Sequence, residues 1–103
     1  MKAVIDGKKY DTEIAEQIAE DGYSYSGDFR YWYEVLYRTK KGNFFVAGEG
    51  GALTKYAVPV GNNSTSGSER ITPLTRQEAF EWCERHGATE AIETHFSDLI
   101  EDA

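Results

Sequence analysis

FRYWYEVLYRTKKGNFFVAGEGG, residues 29–51, is the stretch that decides the fold. In its first half, large apolar side chains at the odd-numbered positions, Phe29 to Tyr37, alternate with the residues at the even-numbered positions, Arg30 to Arg38. This alternation predicts a β-strand with the odd-numbered residues facing the core. KKGN at residues 40–43 predicts a turn, because Gly42 tolerates the left-handed conformation. NFFVA at residues 43–47 is the predicted returning strand. The GEGG run ends this strand and predicts a sharp turn or bulge. It does not have the spacing of a phosphate-binding loop, which disfavours that alternative.

The composition predicts one domain over residues 1–103. Hydrophobic residues make up 40% of the chain and aromatic residues 14%, which is too apolar for a disordered chain. Cys83 is the single cysteine, so no intramolecular disulfide can form. The sequence opens without a basic-then-apolar leader and has no apolar run of about 20 residues that could span a bilayer. We therefore expect a soluble cytoplasmic protein that does not enter a membrane.

The segment before the central hairpin is predicted to form a small hairpin and then a helix. Asp6-Gly7 is a strong two-residue turn signal between two short strand-like runs. A helix is then expected from Asp11-Thr12 to Gly22, because four apolar residues follow helical spacing. These four are Ile14, Ala15, Ile18 and Ala19. YSYSGD at residues 23–28 is a predicted loop.

The segment after the hairpin is predicted to hold a polar surface loop over residues 61–68, a strand over residues 69–74 and two helices. Pro73 makes this strand an edge strand or lies at its end. Thr75 and Glu78 have the spacing of a capping box, which predicts a helix that stops at Gly87. A second helix starts at Thr89, and its apolar spacing continues to Ile100. The whole pattern predicts an α+β fold, with an antiparallel sheet of four to five strands covered by two to three helices.

Negative charge is concentrated in two segments that are predicted to be helical. The net charge is −7, with six carboxylates and no lysine or arginine in residues 11–28, and eight carboxylates against one arginine in residues 77–103. Such acidic surfaces attract basic partners and repel nucleic acid. The predicted partner-binding carboxylates are Glu13, Glu16, Glu20, Asp21, Glu81, Glu84, Glu90 and Glu93. The predicted apolar contacts are Tyr23, Tyr25 and a half-exposed Trp82.

No arrangement of residues carries a catalytic or metal-binding signature. Cys83, His86 and His95 are too few, and wrongly spaced, for zinc. Cys83 and His86 are three residues apart on one helix and seldom point at one substrate, which disfavours a thiol nucleophile. Carboxylates are plentiful, but nothing in the sequence marks one as buried. The expectation is therefore a protein that is not an enzyme and has no catalytic residues, metal or cofactor. Basic residues do interleave with the hairpin's aromatics, yet the net charge argues against direct nucleic-acid binding.

Several strings of the sequence resemble a family of small acidic proteins from phages, prophages and other mobile elements. They are LYRTKKGNFFVAGEGG, TKYA, ITPLTRQEAFEWCERHG, DGKKYDTEIAEQIAE and FSDLIEDA, which are distributed over nearly the whole length of the chain. The family is similar in size, acidity and setting to anti-CRISPR proteins. The resemblance implies an interaction protein in the cytoplasm of a bacterial host, and it carries over no catalytic or binding residues.

The leading hypothesis is an anti-CRISPR-like inhibitor, monomeric or homodimeric, that mimics nucleic-acid charge. Its partner would be a host CRISPR effector or another nucleic-acid-handling complex. One alternative is a binding module of another kind, such as a phage regulator or a homodimer that uses the sheet edge or Trp82. The other is a small enzyme that uses a carboxylate or Cys83.

Overall fold

A four-stranded antiparallel sheet forms the centre of an α+β fold, and the computed structural model describes all 103 residues. The strand order in this sheet is β3-β4-β5-β8, and each of the pairs β1-β2 and β6-β7 forms a separate two-stranded hairpin. The predicted fold class is thus confirmed. The strands are β1 Lys2–Ile5, β2 Lys8–Asp11, β3 Glu16–Tyr23, β4 Trp32–Arg38, β5 Phe44–Gly50, β6 Val58–Pro59, β7 Thr65–Ser66 and β8 Ser68–Leu74; the helices are α1 Arg76–Arg85, α2 Thr89–His95 and a 3₁₀ turn at Ser97–Leu99.

The predicted central hairpin is the β4-β5 pair. The backbone N–H of Thr39 donates to the carbonyl of Asn43 at 2.8 Å, and Gly42 has a φ of 89°, as the turn prediction requires. The prediction that the glycine-rich run ends the strand is wrong. β5 continues in regular pairing through Gly48 and Gly50, so this run lies within the sheet.

The two faces of the sheet are covered by different elements. Leu36 and Val46 pack with the helices in the larger core, which also contains Phe80, Cys83 and Phe96. On the opposite face, a smaller core packs against the β1-β2 hairpin and contains Tyr10, Phe45, Ala47 and Ile71. The odd-numbered residues of β4, which are predicted to face the core, lie on the side of this smaller core, where Tyr37 packs. The larger core, under the helices, lies on the even-numbered face.

The predicted first helix is an edge strand, β3. Its register against β4 shifts between Gln17 and Ala19, where Ile18 is an extra residue in a β-bulge. The bulge breaks the two-residue alternation, so that Ile18 and Ala19 both pack towards the helix-side core. Two adjacent apolar residues, Ile18 and Ala19, therefore face the same side, a pattern that in the sequence also fits a helix. Gly22 likewise pairs with Tyr33 within the strand and does not stop a helix.

The predicted start and stop of α1 are confirmed. The Thr75 side chain accepts a hydrogen bond from the Glu78 backbone N–H, and the Glu78 carboxylate accepts one from the Thr75 N–H. Gly87 follows the helix with a φ of 66°. The prediction that helical spacing continues from Thr89 to Ile100 is wrong at its end, because α2 stops at His95 and Ile100 is exposed.

The polar loop over residues 61–68 is part of a small hairpin rather than a plain loop. Val58 pairs with Ser66, and Pro59 pairs with Thr65. Thr65 also donates a hydrogen bond to the carbonyl of Ala52 at 3.2 Å, which ties the hairpin to the segment that follows β5. Neither helix of the fold is long and apolar enough to cross a bilayer.

Candidate functional site

A buried carboxylate, that of Glu34, lies on the helix-covered face of β4. Glu34 is only 2% exposed, and three groups donate to its oxygens. They are the Tyr56 hydroxyl, the Trp82 indole Nε1 at 3.0 Å and the Lys55 ammonium at 2.7 Å. Burial of a carboxylate costs several kcal/mol unless the group is paired with a cation and hydrogen-bonded. Glu34 has both kinds of partner.

The electrostatics hold Glu34 in its charged form. Burial disfavours the carboxylate, but the hydrogen bonds from Lys55, Tyr56 and Trp82 outweigh burial and leave the pKa of Glu34 below its usual value. Burial, and then the hydrogen bond to Glu34, raise the pKa of Tyr56 well above its ordinary value. The pair is therefore a carboxylate and a neutral phenol at neutral pH, which suits a fixed structural anion better than a proton donor.

The glycines of β5 make room for this network. Gly48 is the register partner of Glu34, and a Cβ atom at Gly48 would overlap the Tyr56 hydroxyl. The Tyr56 ring thus lies across the strand where a side chain would otherwise stand. Ser68 donates to the Tyr56 carbonyl at 2.5 Å, and the Arg70 guanidinium lies 4.9 Å from the centre of the ring. Gly48 and Gly50 thus leave the space that the Tyr56 side chain occupies.

His86 connects the network to the edge strand. Its Nδ1 lies 2.8 Å from a carboxylate oxygen of Asp21, and its Nε2 lies 3.7 Å from Glu34. The imidazole ring lies against Trp82, with 4.1 Å between the ring centres, and Trp32 meets it edge-on at 5.6 Å. The two acidic segments of the chain, 65 residues apart at this contact, therefore meet at the Asp21–His86 pair.

A cleft opens above this network, and we name it the Glu34 cleft. It has a volume of about 610 Å³, which is within the range of small-molecule sites. It lies between the ends of β3 and β4, the segment after β5 and the end of α1. Its lining residues are Tyr23, Arg30, Trp32, Glu34, Leu53, Thr54, Lys55, Arg85 and His86.

A second cleft lies at the other end of the sheet, near the β1-β2 hairpin. It has a volume of about 400 Å³ and is lined in part by four lysines: Lys8, Lys9, Lys40 and Lys41. It contains the ring of Tyr10 but no tryptophan. We name it the lysine cleft.

The carboxylates predicted to bind a partner do not form one face. Glu20 lies on the face of β3 away from the helices, where it accepts a hydrogen bond from the Tyr33 hydroxyl, whereas Asp21 lies on the helix side and contacts His86. The remaining six are exposed and form no ion pair; they lie in the turn before β3, at the start of β3, and on the outer sides of α1 and α2. These six are Glu13, Glu16, Glu81, Glu84, Glu90 and Glu93.

The three residues predicted to make apolar contacts with a partner differ in their exposure. Tyr23 and Tyr25 are 55% and 71% exposed, as contact residues would be. The prediction that Trp82 is half exposed is wrong, because Trp82 is 2% exposed and its indole N–H is committed to Glu34. Trp82 is buried because it packs in the larger core with Leu36 of β4, where Glu34 also accepts its N–H.

The thiol of Cys83 has no access to solvent. Its residue is completely buried in the larger core, and burial raises its pKa to about 11. The thiol is therefore protonated at neutral pH, and the thiolate that a nucleophile needs is absent. No group of three or more His, Cys, Asp or Glu side chains is placed to hold a metal ion.

Sequence reasoning missed the Glu34 network and the cleft above it. One signal was present: Glu34 is the only acidic residue in the otherwise apolar and aromatic run YWYEVLY, and it is followed by a returning strand with glycine at alternate positions. Lys55 and Tyr56 gave no signal, because their segment has no regular structure and the tertiary fold alone places them beside Glu34.

No protein-family model matches the chain, and neither the curated proteins nor the solved structures contain a match.

Proposed function

We propose that this protein is a non-enzymatic, anti-CRISPR-like inhibitor that binds a basic surface of a host nucleic-acid-handling complex. The observation that carries the proposal is the set of six exposed carboxylates without ion pairs, defined above as Glu13, Glu16, Glu81, Glu84, Glu90 and Glu93. Carboxylates that are unpaired within their own chain keep their charge available for a partner.

These carboxylates are distributed over the edge strand, the turn before it and both helices, rather than on a single helix. The edge strand β3 and the end of α1 adjoin at the Asp21–His86 contact. Glu84 is on α1 two residues before His86, and Glu16 is on the strand that carries Asp21. The exposed carboxylates thus lie on two elements that touch, although Glu16 is at the end of β3 far from His86 and the basic Arg85 lines the cleft at the junction. Tyr23 and Tyr25, at the end of β3 and in the following loop, supply apolar contact area.

The sequence resemblance to small proteins of phages and mobile elements favours a CRISPR effector as the partner. A guide-loaded effector presents a positively charged channel for nucleic acid, and an acidic protein that occupies it would exclude target DNA. The inhibitor would act by occupancy alone, which agrees with a buried, protonated Cys83 and a fully hydrogen-bonded Glu34.

Competition with target DNA tests the proposal directly. Purified protein is added to a panel of guide-loaded effector complexes, and target-DNA binding is measured by gel shift. At least one complex should lose DNA binding and form a complex with the protein on size exclusion. If no effector complex binds the protein, the proposal is wrong in this form.

Charge-neutral variants test the acidic surface on an effector that responds. Glu84→Gln, Glu90→Gln and Glu93→Gln combined should weaken inhibition by roughly tenfold, with a smaller effect at high salt. The matched control removes three charges elsewhere, through Asp6→Asn, Glu69→Gln and Asp102→Asn. Equal losses in the two triple variants would show that net charge, rather than this surface, determines binding.

A homodimer joined at the sheet edge is the other candidate, and the structure gives it less support. β3 presents carboxylates and a bulge at its open edge, and both disfavour pairing with an identical strand. Size exclusion with light scattering separates the two candidates, because the inhibitor proposal with a monomeric chain predicts a mass near 11.6 kDa.

A further inference from the structure

The Glu34 cleft collects positive charge in an acidic chain. Four basic side chains line it: Arg30, Lys55, Arg85 and His86. The Lys55 ammonium neutralises the buried Glu34 carboxylate, and the His86 imidazole contacts the carboxylate of Asp21. Arg30 and Arg85 are exposed and form no ion pair. The cleft therefore has two guanidinium groups without an ion pair, of which Arg85 is the freer, because the charge of Arg30 also acts on the neighbouring Asp28 carboxylate. Arg is the side chain best suited to phosphate and carboxylate oxygens.

Flat apolar side chains lie beside these cations. Tyr23 and Trp32 are register partners on β3 and β4, so their side chains leave the same face of the sheet at neighbouring positions. Trp32 is half-buried, and its ring is held by the edge-on contact with His86. Tyr23 and Leu53 are more than half exposed at the rim. Exposed rings next to guanidinium groups are the combination that stacks on a planar, negatively charged molecule.

The floor of the cleft is rigid. Glu34 fixes Lys55 through an ion pair at 2.7 Å, and the ring of His86 is packed between two tryptophans while its nitrogen atoms contact Asp21 and Glu34. Every buried polar side-chain atom in the protein has a hydrogen-bond partner. The floor of the site is therefore preformed, and a ligand would have to order only the exposed side chains at its rim, such as Arg30, Arg85 and Tyr23.

We propose that the Glu34 cleft binds a nucleoside monophosphate or a similar planar molecule with one phosphate. The phosphate binds Arg30 and Arg85, and the planar base packs against Trp32 and Tyr23. The lysine cleft has more lysines but no tryptophan, so it offers charge without the same flat aromatic wall. This inference does not rest on the proposed function, because it concerns a small ligand and residues outside the six exposed carboxylates.

Titration with AMP, followed by NMR of the tryptophan indole N–H signals, tests the proposal. The chain has two tryptophans, and Trp82 is sealed beneath the cleft with its N–H on Glu34. AMP should therefore shift the Trp32 signal in a saturable manner and shift the Trp82 signal less. Adenosine and inorganic phosphate, titrated separately, should each bind more weakly than AMP, because each makes only half of the contacts.

Two variants locate the binding site. Arg85→Gln should weaken AMP binding by about fivefold to tenfold, since it removes a charge-assisted contact at an exposed position. The matched control is Lys40→Gln with Lys41→Gln in the lysine cleft, which should leave the affinity unchanged. Retention of the wild-type Trp82 signal shows that each variant is folded.

Three results would overturn the proposal. One is a Trp32 signal that does not respond to AMP at millimolar concentration. Another is inorganic phosphate binding as tightly as AMP, because the aromatic wall would then contribute nothing. The third is loss of AMP binding in the Lys40 and Lys41 variant with full binding in Arg85→Gln, which would place the ligand in the other cleft.

Discussion

Glu34 and Gly48 are direct partners across β4 and β5, and the missing side chain of Gly48 is what lets the Tyr56 hydroxyl reach the buried carboxylate. The relationship explains two odd features of the sequence together: an acidic residue within an aromatic strand, and a strand that ends in alternating glycines. The buried Glu34 carboxylate needs a hydrogen-bond donor, which is the Tyr56 hydroxyl, and the Tyr56 side chain needs the space that Gly48 leaves on β5. Predictions about stability follow from it.

Gly48→Ala should be strongly destabilising. The added methyl group would overlap the Tyr56 hydroxyl and ring, which are held between β5 and Glu34, so the ring has nowhere to move. We expect a loss of about 3 kcal/mol in the free energy of unfolding, measured by urea denaturation. Gly27→Ala is the control, because there the new Cβ meets only the mobile ring of exposed Tyr25, and the loss should stay below about 1 kcal/mol. Similar losses in the two variants would contradict the packing argument.

Glu34 and Tyr56 should be energetically coupled. Tyr56→Phe removes one donor to the buried carboxylate and should cost about 1–2 kcal/mol, while Glu34→Gln leaves Lys55 without its partner and should cost about 2 kcal/mol. The double variant should lose about 1 kcal/mol less than the sum of the two single losses. Urea denaturation of all four proteins measures the coupling, and strictly additive losses would show that the hydrogen bond contributes nothing.

The stability of the protein should fall in acid, in part because of Glu34. Its pKa is lower in the folded state than the ordinary value of 4.5, so the unfolded chain binds more protons at acidic pH. The contribution is fully present above the ordinary pKa and is lost as the pH falls through the lower, folded value. Urea midpoints of wild type and Glu34→Gln should therefore differ most at neutral pH and converge as the pH falls below the ordinary pKa of the carboxyl group. A difference that stays constant with pH would mean that Glu34 does not titrate with folding.

Removal of the capping box should weaken α1 without touching the cleft. Thr75→Ala removes the side-chain acceptor for the Glu78 N–H and should cost about 1 kcal/mol, measured by thermal or urea unfolding. Thr94→Ala is the control, because Thr94 is exposed in α2 and forms no side-chain hydrogen bond, and its effect should be within about 0.5 kcal/mol. A larger loss for the Thr94 variant would show that α2 is the more sensitive helix.

Local chemistry made much of the fold predictable. The turn at Gly42, the hairpin turn at Asp6-Gly7 and the capping box of Thr75 and Glu78 depend on backbone conformation and hydrogen bonds within a few residues. Their sequence signals therefore translate directly into structure. The long alternation in residues 29–38 likewise predicted β4, although the strand begins only at Trp32 and Phe29, predicted to face the core, is exposed. The alternation also could not tell which face the helices would cover.

The errors come from features that only the tertiary fold determines. One extra residue, Ile18, shifts the strand phase of β3 and imitates helical spacing, and no local signal distinguishes the bulge from a helix. Trp82 looked half exposed because its burial depends on Glu34, 48 residues away. The cleft was missed for the same reason, since its lining comes from four separate segments of the chain.

The bulge at Ile18 also has a consequence for how copies of this chain meet. The central sheet has two outer strands, and Pro73 on β8 lacks the N–H that a neighbouring strand would need, while β3 is kinked and lined with carboxylates. Both borders therefore disfavour the addition of another strand. Edge-to-edge pairing between copies of the chain is disfavoured as a result, and the extra residue Ile18 in β3 contributes to this effect.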